Sequence, residues 1–91
     1  SPAASPPLAH RADVAMAPPE AVLEGSTLRL DHPDAVRSWG IYAADGDTWV
    51  LDRLLPGPTS RHELDEGRWA VSAIGRHGNE SRGVVVEVDG P

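Results

Sequence analysis

Apolar and polar residues alternate with a period of two along most of the chain, which is the pattern of half-buried β-strands. The clearest example is Ser26–Asp31, in which Leu28 and Leu30 share one face while Arg29 and Asp31 share the other. No stretch has the apolar spacing of a convincing amphipathic helix. The pattern therefore predicts an all-β protein.

The next apolar segment, Val36–Ala43, is predicted to be a central strand that is packed on both sides. Apart from Arg37 near its start, the segment carries no charged residue, so both of its faces suit a buried strand. Asp-Gly follows the segment and predicts a hairpin turn. The two faces carry Trp39, Ile41 and Ala43 on one side and Ser38, Gly40 and Tyr42 on the other.

The period is ambiguous in Thr48–Leu55 alone. Trp49 and Leu51 have the spacing of a strand, whereas Val50 and Leu54 have the spacing of a helix. Trp, Val and Thr favour strands, and the segment lies between Asp-Gly and Pro-Gly-Pro turn signals. We therefore predict a strand here, with a helix as the alternative.

Frequent turn signals separate about seven short predicted strands, which is the pattern of a β-sandwich. Residues 1–11 are rich in Pro, Ala and Ser, and we expect them to form a linker to another domain. Residues 12–91 are expected to form the sandwich. The predicted strands are Asp13–Ala17, Ser26–Asp31, Val36–Ala43, Thr48–Leu55, Arg61–Leu64, Arg68–Gly75 and Arg82–Val88.

Composition excludes or disfavours several classes of function and site. The chain has 91 residues, enough for about one domain, and a formal charge of −6 with every positive group an arginine, which disfavours a nucleic-acid partner. Cysteine is absent, so disulfides and thiolate metal sites are excluded. The histidines lack metal-ligand spacing, and no metal or cofactor is predicted. No apolar run approaches the length of a membrane span.

Four segments resemble a divergent fibronectin type III domain, which is an immunoglobulin-like sandwich of seven strands. The family's core tryptophan is replaced by Leu30, and Trp69 takes the place of the tyrosine whose hydroxyl bonds back to the chain. We expect the Trp69 indole N–H to find a backbone carbonyl, and Trp39, Trp49 or Trp69 to restore core volume. The matching segments are Leu28–Pro33, Trp39–Ala43, Leu64 through Gly67 to Trp69, and Val71–Ala73 with Gly78 and Ser81.

A second resemblance concerns the surroundings of the domain. The Trp-Val-Leu strand that ends at Leu55-Pro56, together with Ala-Val-Ser-Ala and Gly-Asn-Glu-Ser, is similar to C-terminal β-sandwich modules of bacterial glycoside hydrolase-like proteins. This resemblance implies a secreted, carbohydrate-processing parent located outside the cell or in the cell envelope. It also implies a neighbouring domain of the same polypeptide as the partner.

Aromatic residues and one turn supply the candidate binding residues. Trp49 and Tyr42 could stack on a sugar ring, since flat aromatic faces pack against apolar surfaces. Trp39 and Trp69 are expected in the core instead. The Gly-Asn-Glu-Ser hairpin places His77, Asn79 and Glu80 at a tip suited to contacts.

No motif for catalysis is present, because no nucleophile elbow, phosphate loop or His-Glu-x-x-His occurs and no catalytic residue is predicted. Paired carboxylates would need a deep cleft to act as a glycosidase. We therefore expect a non-catalytic accessory module that packs, spaces or interacts. The alternative is a carbohydrate-binding module that uses an exposed tryptophan, with a polysaccharide as partner; a small enzyme is the third and weaker hypothesis.

Overall fold

The computed structural model describes residues 16–90, which form seven strands. Within this range there is no helix, so the predicted all-β class is confirmed and Thr48–Leu55 is a strand rather than a helix. The predicted linker, residues 1–11, lies outside the described residues. The strands are β1 (Glu20–Glu24), β2 (Thr27–Asp31), β3 (Ser38–Asp45), β4 (Thr48–Pro56), β5 (Arg61–Glu63), β6 (Gly67–Ile74) and β7 (Val84–Val88).

The strands form two antiparallel sheets that pack as a sandwich. One sheet has three strands in the order β1-β2-β5, and the other has four in the order β4-β3-β6-β7. β3 is therefore internal, with β4 on one side and β6 on the other, as the sequence predicts for a central strand. Residues 16–90 contain no helix of the length and apolarity that a membrane crossing requires.

The core lies between the sheets and consists of alternate residues from their facing sides. Leu28, Ile41 and Val71 are fully buried at 0% exposure. Each such side chain contributes about 1.5–3 kcal/mol through removal of apolar surface from water. The buried core cluster comprises Leu28, Leu30, Trp39, Ile41, Leu64, Val71, Ala73 and Val88.

Two tryptophans pack in or against this core, as predicted. Trp39 is 3% exposed and donates its indole N–H to the carbonyl of Gly57 at 3.1 Å. Trp69 packs against the edge of the core and donates its N–H to the Asp65 carbonyl at 3.0 Å. The expected bond from an indole at this corner to a backbone carbonyl is thus present.

The first strand differs from the sequence prediction. Met16 to Pro19 have no regular structure, and β1 follows Pro18-Pro19 instead of preceding it; residues 13–15 of the predicted strand lie outside the described range. β1 pairs with β2 through a two-residue loop that begins at Gly25, whose φ of 67° suits a tight hairpin. The strand was missed because Val22 is apolar yet 57% exposed, which weakens the alternation.

A hydrogen-bonded cluster of Ser26, Thr27 and Glu63, at the start of β2 and the end of β5, leads us to expect a pH-dependent stability. The hydroxyls of Thr27 and Ser26 donate hydrogen bonds to Glu63, the latter at 2.9 Å. These bonds, first that from Thr27, lower the pKa of the Glu63 carboxyl below its ordinary value. Because the folded pKa is depressed, ionised Glu63 stabilises the fold above the pKa of the unfolded chain, and this contribution is lost as pH falls through the folded pKa.

We expect Glu63→Gln to lower the melting temperature near neutral pH, and the difference from wild type to shrink as pH falls below about 4.3, the ordinary pKa of glutamate. Thermal unfolding followed by circular dichroism across this range measures it. Thr27→Val is the matched control, because it removes the main cause of the shift and should flatten the same pH dependence. A difference from wild type that stays constant with pH would contradict this assignment.

Candidate interaction surface

The largest exposed apolar side chains in the described residues are concentrated on β4. Val50 and Leu54 are each 48% exposed and Leu51 is 38% exposed. β4 lies at the edge of the four-stranded sheet and is nine residues long. Apolar exposure on an edge strand is unusual for a monomer and indicates an interaction surface.

A β-bulge fixes which way these side chains point. Ile41 of β3 pairs with Arg53, but its neighbour Tyr42 pairs with Leu51, so Asp52 is an extra residue on β4. Leu54 pairs with Gly40. Because Gly40 and Tyr42 are two residues apart on β3, their partners Leu51 and Leu54 share the outer face of the sheet.

Trp49 extends this surface toward the start of β4. It pairs with Ala44, again on the outer face, and is partly exposed. The guanidinium of Arg68 on β6 lies over the Trp49 ring at 5.9 Å from its centroid, within range of a cation–π contact. Trp49, Leu51 and Leu54 together are called the β4 strip below.

The β4 strip continues into a shallow groove at one end. This groove, of about 190 Å³, separates Leu54 from the turn that follows β6. Its other lining residues are Arg37, Ser38, Ile74 and Gly78. The strip and groove together form a mainly apolar surface bordered by two arginines, Arg37 at the groove and Arg68 at Trp49.

Tyr42, the second predicted stacking residue, is 1% exposed in the structure. Its hydroxyl donates to Oε2 of Glu80 at 2.7 Å, and the hydroxyl of Ser72 donates to the same oxygen. A Cβ on Gly40 would lie 2.6 Å from the Ser72 hydroxyl oxygen, so glycine provides the space for this contact. Tyr42, Ser72 and Glu80 with Gly40 form the Glu80 cluster, and the Tyr42 ring has no free face for stacking.

Glu80 reaches this position through a change of register. Val71 pairs with Val84, whereas Ile74 pairs with Glu80. An advance of three residues on β6 therefore corresponds to four residues on the segment between the turn and β7. A one-residue shift moves a side chain to the other face of a sheet. The shift places Glu80 beside Ile74 on the outer face. There Glu80 accepts the hydrogen bond from Tyr42, which attaches the segment between the turn and β7 to the sheet.

The three residues predicted at a hairpin tip are therefore separated. His77 is exposed in the turn, Asn79 is partly buried against Gly75, and Glu80 is 3% exposed inside the Glu80 cluster. A polar Asn-Glu-Ser segment predicts a solvated turn, which is why the burial of Glu80 was not anticipated. The available signal was the pair of small residues, Gly40 and Ser72, opposite each other on the outer face.

Other polar groups do not assemble into a metal site within residues 16–90. His32 is held by two local hydrogen bonds, one from the backbone N–H of Asp34 at 2.9 Å and one with the carbonyl of Ala17 at 2.7 Å. Arg29, which borders a shallow depression on the three-stranded sheet, pairs with Glu24 at 3.0 Å. Among these features, the β4 strip is the one with the most exposed large apolar side chains.

Comparisons of this chain with protein-family models, with curated proteins and with solved structures find no significant match. The function must therefore be argued from the geometry of the β4 strip and its surroundings.

Proposed function

We propose that this sandwich is a non-catalytic interaction module of a larger polypeptide, and that it packs the β4 strip against a neighbouring domain. The observation that carries the proposal is the exposure of Leu51 and Leu54 side by side on the outer face of an edge strand. Aliphatic side chains cannot hydrogen-bond a polar ligand. They gain stability by leaving water against another apolar surface, by about 25 cal/mol for each Å² buried.

The proposal includes the family and setting that the sequence suggests: a fibronectin type III-like module in a secreted or envelope-located bacterial protein that processes carbohydrate. A four-stranded sheet that faces a three-stranded one agrees with this kinship. So does the hydrogen bond from Trp69 to the Asp65 carbonyl, which corresponds to the tyrosine corner of such sandwiches. The carbohydrate-processing parent rests on the sequence resemblance alone.

Carbohydrate binding is the second candidate, and the position of Trp49 on the outer face at the sheet edge favours it. The ring has Arg68 over one face, which leaves at most one face for a sugar. Leu51 and Leu54 follow Trp49 along the same face, and they offer no donor or acceptor to sugar hydroxyls. Packing against a protein surface therefore fits the whole strip better than stacking on a glycan.

The test compares variants in the parent polypeptide and in this chain alone. We expect the double variant Leu51→Ser and Leu54→Ser to lower the melting temperature of the parent by several degrees, because the interdomain contact is lost, while the melting temperature of this chain alone changes little. Val22→Ser is the matched control, since Val22 is also exposed but lies on the other sheet. Differential scanning calorimetry provides the measurement.

Equal melting temperatures for the parent and its double variant would contradict the packing proposal. Quenching of tryptophan fluorescence by a polysaccharide, abolished by Trp49→Ala, would support the carbohydrate-binding alternative instead.

A further inference from the structure

The edge of β4 carries unpaired backbone groups. Within residues 16–90, β4 has a neighbouring strand on its β3 side only, and it is nine residues long. A long edge strand presents a row of N–H and C=O groups to which another strand can add. Such edges are commonly interrupted by charges, and β4 has two at its centre, Asp52 and Arg53.

The bulge gives these two charges an unusual arrangement. Neighbouring residues of a regular strand point to opposite faces, but Nε of Arg53 lies 2.8 Å from Oδ2 of Asp52, so the two side chains share one side. Both are substantially exposed, at 55% for Arg53 and 35% for Asp52. An opposing strand would therefore meet a positive and a negative group next to each other.

The sequence around this pair is self-complementary. From Val50 to Leu55 it runs apolar, apolar, acidic, basic, apolar, apolar. An antiparallel copy related by a two-fold axis between Asp52 and Arg53 sets each acid opposite a base. In the same register Leu51 opposes Leu54 of the second copy, and Val50 opposes Leu55.

This register is possible because of the bulge. Residues that face each other directly in an antiparallel pair must have the same backbone orientation. Leu51 and Leu54 meet this condition although they are three residues apart, since their partners on β3 are two residues apart. In a strand without a bulge, the axis would pass through a residue and set Asp52 or Arg53 opposite its own copy, with like charges in contact.

We propose that β4 pairs antiparallel with β4 of a second copy of this chain, through two Asp52–Arg53 ion pairs and two Leu51–Leu54 contacts. The two four-stranded sheets would then form one continuous sheet. A two-fold contact of this kind buries the same surface on both copies, which suits the repeated charge and leucine pairs. The inference goes beyond the proposed function, because the contact is the strand edge rather than the outer face.

The test exchanges the two charges in this chain and measures mass by sedimentation equilibrium. Wild type is expected to be a dimer at high protein concentration. Asp52→Arg alone and Arg53→Asp alone each set like charges opposite one another, and each should weaken the dimer by about tenfold or more. An equimolar mixture of the two variants should restore association as a heterodimer, because one chain is then doubly positive and the other doubly negative at the axis.

The matched control is the chain that carries both exchanges, Asp52→Arg with Arg53→Asp, which keeps the complementarity and should dimerise like wild type. Circular dichroism confirms that each variant is folded. A monomeric wild type, as expected if residues 1–15 or a neighbouring domain occupy the edge, would overturn the proposal. Dimerisation unaffected by either single exchange would overturn it too. None of these variants alters the β4 strip, so packing against a neighbouring domain is tested separately.

Discussion

Trp39→Ala is expected to lower the free energy of unfolding by about 3–5 kcal/mol, the range for truncation of a large aromatic residue in a core. Trp39 is 3% exposed and belongs to the cluster that both sheets share. Its loss leaves a cavity beside Leu30 and Ile41 and frees the carbonyl of Gly57 from its indole partner. Urea denaturation followed by far-UV circular dichroism measures the change.

Trp49→Ala is the matched control, because it removes the same side chain from the outer face. We expect a loss of about 1 kcal/mol or less, from partial burial and the contact with Arg68. Equal losses at the two positions would contradict the assignment of Trp39 to the core and Trp49 to the surface.

Most of the fold could be predicted from alternation and turn residues. Burial alternates in β2, where Leu28 and Leu30 are inside, whereas β3 and β6 are buried on both faces over several consecutive residues. β1 is not predicted because its apolar residues alternate weakly, although the Gly25-Ser26 pair of its two-residue loop is a hairpin signal. In addition, Pro18-Pro19 can mark either the end of one strand or the start of the next, and in this structure it directly precedes β1.

The ambiguous period of β4 has a structural cause. The extra residue at Asp52 shifts the phase of the strand, so Leu51 and Leu54 share a face at a separation of three, whereas Val50 and Leu54, which have helical spacing, lie on opposite faces. A bulge residue has no mark of its own in the alternation of apolar and polar residues, because that alternation assumes a regular strand. The candidate surface was therefore predicted only in part: Trp49 was singled out, and the two leucines beside it were not.

The bulge also links the two proposals. It turns Leu51 and Leu54 to the outer face, where they form the β4 strip, and it sets Asp52 and Arg53 on one side of the strand. Bulges on edge strands usually discourage indiscriminate pairing. Here the same feature restricts pairing to a partner with complementary charges, and this is the physical basis for expecting a specific contact at β4 rather than aggregation.

The burial of Glu80 leads to the second large effect. Glu80→Leu is expected to lower the free energy of unfolding by about 2–4 kcal/mol, because the hydroxyls of Tyr42 and Ser72 lose their acceptor in a buried site. The segment that returns from β6 to β7 would also lose its attachment to the sheet. Urea denaturation measures the change in the free energy of unfolding. The Ser81 amide donates to the Ala73 carbonyl at 2.9 Å, and faster hydrogen exchange of this amide would report local opening of the segment.

A double-mutant cycle separates this contact from general loss of packing. Tyr42→Phe alone should cost about 1 kcal/mol, since it removes the hydrogen bond that the Tyr42 hydroxyl donates to Glu80. In the Glu80→Leu background the same change should cost less, because the hydroxyl has already lost its acceptor on Glu80. If the cost of Tyr42→Phe is the same in both backgrounds, the Tyr42–Glu80 bond does not hold the segment, and Glu80 must be retained by its other contacts.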